Sequence, residues 1–129
     1  MKIKSTSLLG ASLSCIVVSA TQANSVDNQL QTYQQQGAFQ TDTARGKQLW
    51  YARNNERSCS SCHGTKPGEM GKHVRTRKPI DPMALSVNPG RYQDSKKTEK
   101  WFLRNCKWTF GRTCTAQEKA DILTWLVSQ

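Results

Sequence analysis

Cys59-Ser60-Ser61-Cys62-His63 is a C-x-x-C-H pentapeptide, the pattern by which a polypeptide takes up haem covalently. Each thiol adds across one haem vinyl group to form a thioether, and the histidine that follows is carried under the iron as its proximal ligand. The pattern therefore assigns one haem c, with Cys59 and Cys62 as attachment points and His63 on the iron. Zinc competes poorly. A structural zinc site wants a second closely spaced pair, and the remaining pair, Cys106 and Cys114, has seven residues between its members. A thioredoxin-type redox pair would sit in a βαβ context, and no run in this chain alternates like a strand.

The beginning of the chain agrees with that cofactor. Lys2 and Lys4 precede an apolar stretch from Leu8 to Val18, followed by the small residues Ser19, Ala20 and Ala23. This is the pattern of a secretory signal peptide cleaved after Ala20 or Ala23. The apolar stretch is too short to span a membrane, and polar Gln22, Asn24 and Asp27 follow it, so no membrane span is expected. Covalent haem is attached on the exported side of a bacterial inner membrane, and the expected location is periplasmic. Taking residues 1–23 as the leader leaves one domain, residues 24–129, of 106 residues.

Cys15 goes with the leader, and the cysteine count falls from five to four. Two serve the haem, and in an oxidising compartment Cys106 and Cys114 are expected to form a disulfide.

The signals along the mature chain are helical. Val26, Leu30 and Tyr33 fall at i, i+4 and i+7 before Gly37 and suggest a short first helix, although Gln34 to Gln36 read equally as a frayed linker. Asp42 or Thr43 caps a helix carrying Leu49, Trp50 and Arg53 up to the Asn54-Asn55 break. From Gly64 to Arg91 the chain is rich in Gly, Pro and basic residues and reads as a loop wrapped round the haem, a cofactor giving so long a loop something to pack on. Asp94 or Ser95 starts a helix through Trp101, Phe102 and Asn105. Thr115 with Glu118 makes a capping box for the last helix, where Ala116, Ala120, Leu123 and Val127 share a face. The fold class is all-α, a small cytochrome c fold with a loop-wrapped covalent haem. No repeat and no second domain is visible, which disfavours a haem-based sensor with an output domain.

The chain carries a formal net charge of +10, and loss of Lys2 and Lys4 takes it to +8. The basic residues gather after the haem motif, at Lys72, Arg75, Arg77, Lys78, Lys96, Lys97, Lys100, Arg104 and Lys107. Interleaved with Trp101, Phe102 and Trp108 they would suggest nucleic acid in a cytosolic protein, but export argues against such a partner. A basic surface round a haem edge instead steers an acidic redox partner, or neutralises propionates and anionic ligands.

His63 fills one axial position, and the second decides the function. Met83 in Asp81-Pro82-Met83 is the electron-carrier candidate, because thioether ligation raises the potential and keeps iron six-coordinate. Met70 lies in the polar turn Gly68-Glu69-Met70-Gly71, and His73 would give a bis-histidine haem. Spacing compels none of them.

The carboxyl-terminal half resembles a known family. Lys78-Pro79-Ile80-Asp81-Pro82-Met83-Ala84, then Ser86-Val87-Asn88-Pro89 and Arg91, then Glu99-Lys100-Trp101-Phe102, Arg104-Asn105-Cys106, Cys114-Thr115 and Glu118-Lys119 are similar to the sphaeroides haem protein (SHP) family of monohaem cytochromes c. The likeness spans roughly Asp42 to Leu126, with Leu85 in place of a proline and the Lys107-to-Arg112 loop as its departures. It implies that the distal ligand is an asparagine beside a disulfide cysteine, which falls on Asn105 next to Cys106, bridged to Cys114. A neutral amide is a weak iron ligand. It holds the ferric site closed and leaves on reduction, opening a position for O2, NO or CO. The resemblance also implies electrons from a dihaem cytochrome c, and it places Met83 within the family pattern, so that this methionine alone is no evidence of ligation. No residue specifies catalytic turnover. The competing reading is a plain electron shuttle with His63 and Met83 as ligands.

Overall fold

The computed structural model describes residues 25–129, so the expected leader and Cys15 lie outside the described residues. In chain order the elements are α1 (Ser25–Gln35), α2 (Thr43–Tyr51), α3 (Ser60–His63), β1 (Gly71–Lys72), β2 (Pro79–Ile80), α4 (Ser95–Phe110) and α5 (Ala116–Val127). The all-α expectation holds.

Local chemistry explains where the helices begin. The Asp42 carboxylate accepts from the Ala44 and Arg45 amides at 2.7 and 3.2 Å and starts α2. Asp94 accepts from the Lys97 amide at 3.0 Å and starts α4, which ends on Gly111 in the left-handed region at φ 72°. The capping box of α5 is formed, with the Glu118 amide donating to Thr115 Oγ1 at 3.1 Å and the Thr115 amide to Glu118 Oε2 at 2.9 Å. Arg112 grips the same carboxylate at 2.7 Å, and that contact, ahead of the opposing effect of burial, holds the Glu118 carboxyl below its ordinary range.

One open reading is decided and another needs correction. The glutamine-rich segment is helix to Gln35, because Val26, Gln29 and Tyr33 are buried on one face. Helix α2 stops at Tyr51, short of Arg53. The chain then reverses through Asn55 and Glu56, both at positive φ (46° and 65°), so that Asn54 pairs with Arg57. The stretch from Gly64 to Arg91 is loop apart from the antiparallel pair of β1 and β2, in register Gly71 to Ile80. That pair lies on α3 so closely that a Cβ at Gly71 would stand 2.4 Å from the Cys62 carbonyl oxygen.

Helix α5 is the centre of the fold. Ala120 and Leu123 pack with Val26, Tyr33 and Ala38, while Ile122, Trp125 and Leu126 pack with Trp50. Helix α2 crosses α5 at Gly46, where an added Cβ would meet the Asp121 carbonyl oxygen at 2.1 Å. Asp121 itself is 1 % exposed, and its carboxylate accepts from the Asp42 amide (2.8 Å), Arg45 Nε (2.8 Å) and Gln117 Nε2 (3.0 Å). A buried carboxylate is tolerated when it is paired and hydrogen-bonded in this way, and it fixes the crossing.

Candidate cofactor site

Ser58 prepares the site. It is buried, its hydroxyl lies 2.8 Å from Ser60 Oγ and 2.9 Å from Ser61 Oγ, and its amide donates to Ser61 Oγ at 3.1 Å. This knot starts the single turn α3, in which the His63 amide donates to the Cys59 carbonyl at 3.1 Å, before Gly64 ends it at φ 81°. One helical turn sets Cys59 and Cys62 side by side, three residues apart, with His63 next to them. Both sulfurs are free thiols. Burial pushes the Cys59 thiol up to about 11, against a contrary pull from the Thr109 hydroxyl.

All three residues line a cavity of about 580 Å³. Its walls include the apolar side chains of Trp50, Ile80, Phe102, Ile122 and Leu126, and cations Lys78, Arg91 and Lys97 stand on its lining. The His63 Nδ1 is buried without a hydrogen-bond partner, and burial, with the Arg91 charge second, brings the imidazole down to about 4, so it stays neutral and able to donate to a metal. Two free thiols one turn apart, a neutral imidazole, apolar walls and cations for carboxylates suit a haem attached through thioethers. Among the described residues no group of three or more His, Cys, Asp or Glu gathers to hold a bare metal ion.

The residues considered for the second axial position separate. Asn105 lines the cavity from α4, one turn after Trp101, which lines it too. The next residue, Cys106, is 3 % exposed and disulfide-bonded to Cys114 across a Cα–Cα distance of 5.6 Å. Met83 also reaches the lining, but it packs against the Trp50, Ile122, Trp125 and Leu126 cluster, and the Trp50 ring lies 5.5 Å from that of His63. The main chain at Met83 is bolted down, its amide donating to the Pro67 carbonyl at 2.7 Å and its carbonyl accepting from the Tyr92 hydroxyl at 2.6 Å. His73 lines the cavity with Nδ1 engaged by the Arg75 and Thr76 amides at 3.3 and 3.2 Å. Met70 is 56 % exposed and away from the lining.

The sequence reasoning did not find Trp50, Tyr92 or Thr109 at this site. Trp50 donates through Nε1 to the Gly64 carbonyl at 3.1 Å. Tyr92 lines the cavity with φ at 62°, a conformation that a bulky residue adopts only when its surroundings impose it. The Gly90-Arg91-Tyr92 turn was the available signal for Tyr92, and none in a single sequence points to Trp50.

Residues 36–126 match a family described as a domain of unknown function, DUF1924. The chain is 39 % identical over 102 residues to the cytochrome c-type protein SHP of Cereibacter sphaeroides, covering 75 % of this chain and 78 % of that one. It is 36 % identical over 74 residues to cytochrome c'' of Methylophilus methylotrophus, covering 57 % and 51 %. Among solved structures, oxidised SHP, described as an oxygen-binding cytochrome c, superposes with a TM-score of 0.76 at 37 % identity, covering 82 % of this chain and 98 % of that one. Oxidised cytochrome c'' superposes at 0.72 with 26 % identity, covering 81 % and 94 %. A solution structure of that cytochrome, concerned with haem-ligand detachment, gives 0.72 at 26 % identity over 81 % and 93 %.

Proposed function

The chain belongs to the DUF1924 family and to the SHP family of monohaem c-type cytochromes, and on that premise we propose that it is an exported, periplasmic cytochrome that binds O2 or NO once reduced. Bound, the haem supplies a one-electron ferric–ferrous couple and an iron position open to a diatomic gas. Cys59 and Cys62 would hold it through thioethers, each thiol adding across one vinyl group with sulfur to one carbon and hydrogen to the other. His63 would hold the iron with a neutral imidazole.

Asn105 would hold the distal position in the ferric protein and yield it on reduction. The observation that carries this reading is the place of Asn105 on the cavity wall, next to a disulfide that ties the end of α4 to the start of α5. The carboxamide is a weaker donor than thioether or imidazole, so vacating the position costs little. The packing of Met83 against the cluster around Trp50 speaks for a structural role there. Oxygen binding in SHP and haem-ligand detachment in cytochrome c'' support gas binding at the haem here. The reading takes electrons from an acidic partner, a dihaem cytochrome c being the donor that the sequence resemblance implies. No helix among the described residues is long and apolar enough to cross a membrane.

Two measurements test the reading. Acid-acetone extraction leaves the colour with the protein if the haem is covalent, and release of the colour into solvent overturns it. A near-infrared spectrum of the ferric protein lacks the methionine–iron charge-transfer band if Asn105 is the ligand. Its presence installs the Met83 shuttle instead.

A further inference from the structure

Helix α4 carries five cations, Lys96, Lys97, Lys100, Arg104 and Lys107, and one carboxylate, Glu99. The carboxylate is turned inward. It accepts from the Tyr33 hydroxyl, from Gln29 Nε2 at 2.9 Å and from Lys119 Nζ at 2.8 Å. The five cations are exposed, and among the described residues none of them is in an ion pair.

This arrangement works against the helix that bears it. Lys96 and Lys97 occupy the first turn, where the helix dipole favours anions. Lys96 with Lys100, and Lys100 with Arg104, are like charges four residues apart, which repel. Local stability therefore does not account for the stripe, and an external partner of opposite charge does.

Trp101 joins the stripe to the cofactor site. It is 44 % exposed, the Arg104 guanidinium carbon stands 5.1 Å from its ring centre, and the same indole lines the haem cavity. An exposed aromatic side chain rimmed by cations has the make-up of an interface anchor. We propose that the cationic stripe of α4 docks an electron-donating protein rich in surface carboxylates, with Trp101 as the side chain through which that donor meets the haem cavity. The inference rests on the redox reading above and deepens it. One electron leaves the reduced cofactor of the donor and converts the ferric protein to the ferrous form, and the Asn105 carboxamide then leaves the iron as proposed above. Opposite charge raises the encounter rate at low salt while leaving dissociation fast.

The test uses the holoprotein with photoreduced flavodoxin, an acidic flavoprotein, as the probe, and neutral lumiflavin semiquinone as a reductant that needs no docking. Reversal on the stripe, K100E/R104E, slows second-order reduction by flavodoxin at low ionic strength at least about tenfold and flattens its salt dependence. Reversal on the β1–β2 turn, R75E/R77E, changes the rate by no more than about twofold. Trp101→Leu slows the limiting rate at saturating flavodoxin, and the two charge-reversal variants keep the wild-type rate with lumiflavin. A larger effect of R75E/R77E, or an unchanged rate in K100E/R104E, overturns the proposal. So does an unchanged flavodoxin rate accompanied by loss of self-association, which assigns the stripe to a second copy, or by loss of binding to phosphatidylglycerol vesicles, which assigns it to a membrane. A holoprotein that lumiflavin cannot reduce fails the redox reading itself, a result separate from the docking result.

Discussion

The Trp50 indole lies 5.5 Å from the His63 imidazole, and its Nε1 donates to the carbonyl of Gly64 at 3.1 Å, so one side chain from α2 holds both the ring and the backbone that follows it. Trp50 is 2 % exposed. Trp50→Ala leaves a cavity under His63 and is expected to lower stability by about 3–5 kcal/mol. Trp50→Phe keeps most of the packing and loses the hydrogen bond, at a cost of about 1 kcal/mol from that bond. Guanidinium unfolding of the two holoproteins checks the order, and equal losses would mean that the hydrogen bond, not the packing, dominates.

Gly46→Ala drives a methyl group into the α2–α5 crossing. The obstacle is backbone, the Asp121 carbonyl at 2.1 Å, with Trp125 Cβ at 2.7 Å, so the helices must separate. The expected loss is about 1–3 kcal/mol. Gly68→Ala is the control, because its Cβ meets only Val87 Cγ2, at 3.3 Å. Comparable unfolding midpoints for the two variants would contradict the crossing argument.

Acid stability follows from His63. Burial, with Arg91 second, lowers it from its ordinary 6.5 to about 4. Between those values the unfolded chain binds a proton that the folded chain does not. The contribution of His63 is therefore complete above 6.5, is lost as pH falls from 6.5 to about 4, and changes no further below that. If His63 binds the iron as proposed, iron competes in the holoprotein with the proton for the imidazole and carries the protection lower. The Soret shift that marks loss of the histidine ligand is expected at or below pH 4, and a midpoint near 6.5 would show an imidazole open to water.

Much of this was legible because it depends on neighbours in sequence. The haem pentapeptide closes on itself in one turn, the Thr115 and Glu118 capping box needs three residues, and the disulfide follows from counting cysteines once the leader is set aside. What escaped depends on contacts between distant segments. Gly46 reads as an ordinary residue until α5 lies across it, and Glu99 reads as a surface charge until Tyr33 and Gln29 arrive from α1 and Lys119 from α5. Met83 shows the same limit, since a methionine in a loop is a candidate ligand by type, and its packing against the cluster round Trp50 is a contact that only the fold reveals.

The Cys106–Cys114 bond closes a short loop, with a sequence separation of 8. Its stabilisation is expected to be about 2–3 kcal/mol on the chain-entropy estimate. Thiol titration of the denatured, unreduced holoprotein should find no reactive cysteine, because the thioethers occupy the other two. Two reactive thiols would place the bridge in doubt, whereas two thiols appearing only after reductant, with a fall in unfolding midpoint, would bear it out.

The ligand assignment stands or falls on two substitutions. Asn105 sits on α4 beside the cystine, whereas Met83 sits in a loop whose backbone is held at both its amide and its carbonyl. If the amide is the exchangeable ligand, the reduced protein is high-spin and binds CO readily, while methionine ligation would give a low-spin ferrous spectrum that resists CO. Asn105→Ala should keep the haem attached and open the ferric site to water or added azide, seen as a high-spin ferric spectrum. Met83→Ala should leave the spin state unchanged and lower stability by about 2–5 kcal/mol, the range for truncating a packed methionine, toward the lower end because the side chain is only partly buried. The reverse pattern, with low-spin character lost in Met83→Ala and the spectrum of Asn105→Ala unaltered, makes the protein an electron shuttle with a closed iron. It would also remove the reason for a gas to bind on reduction, because a thioether stays on ferrous iron where a carboxamide leaves.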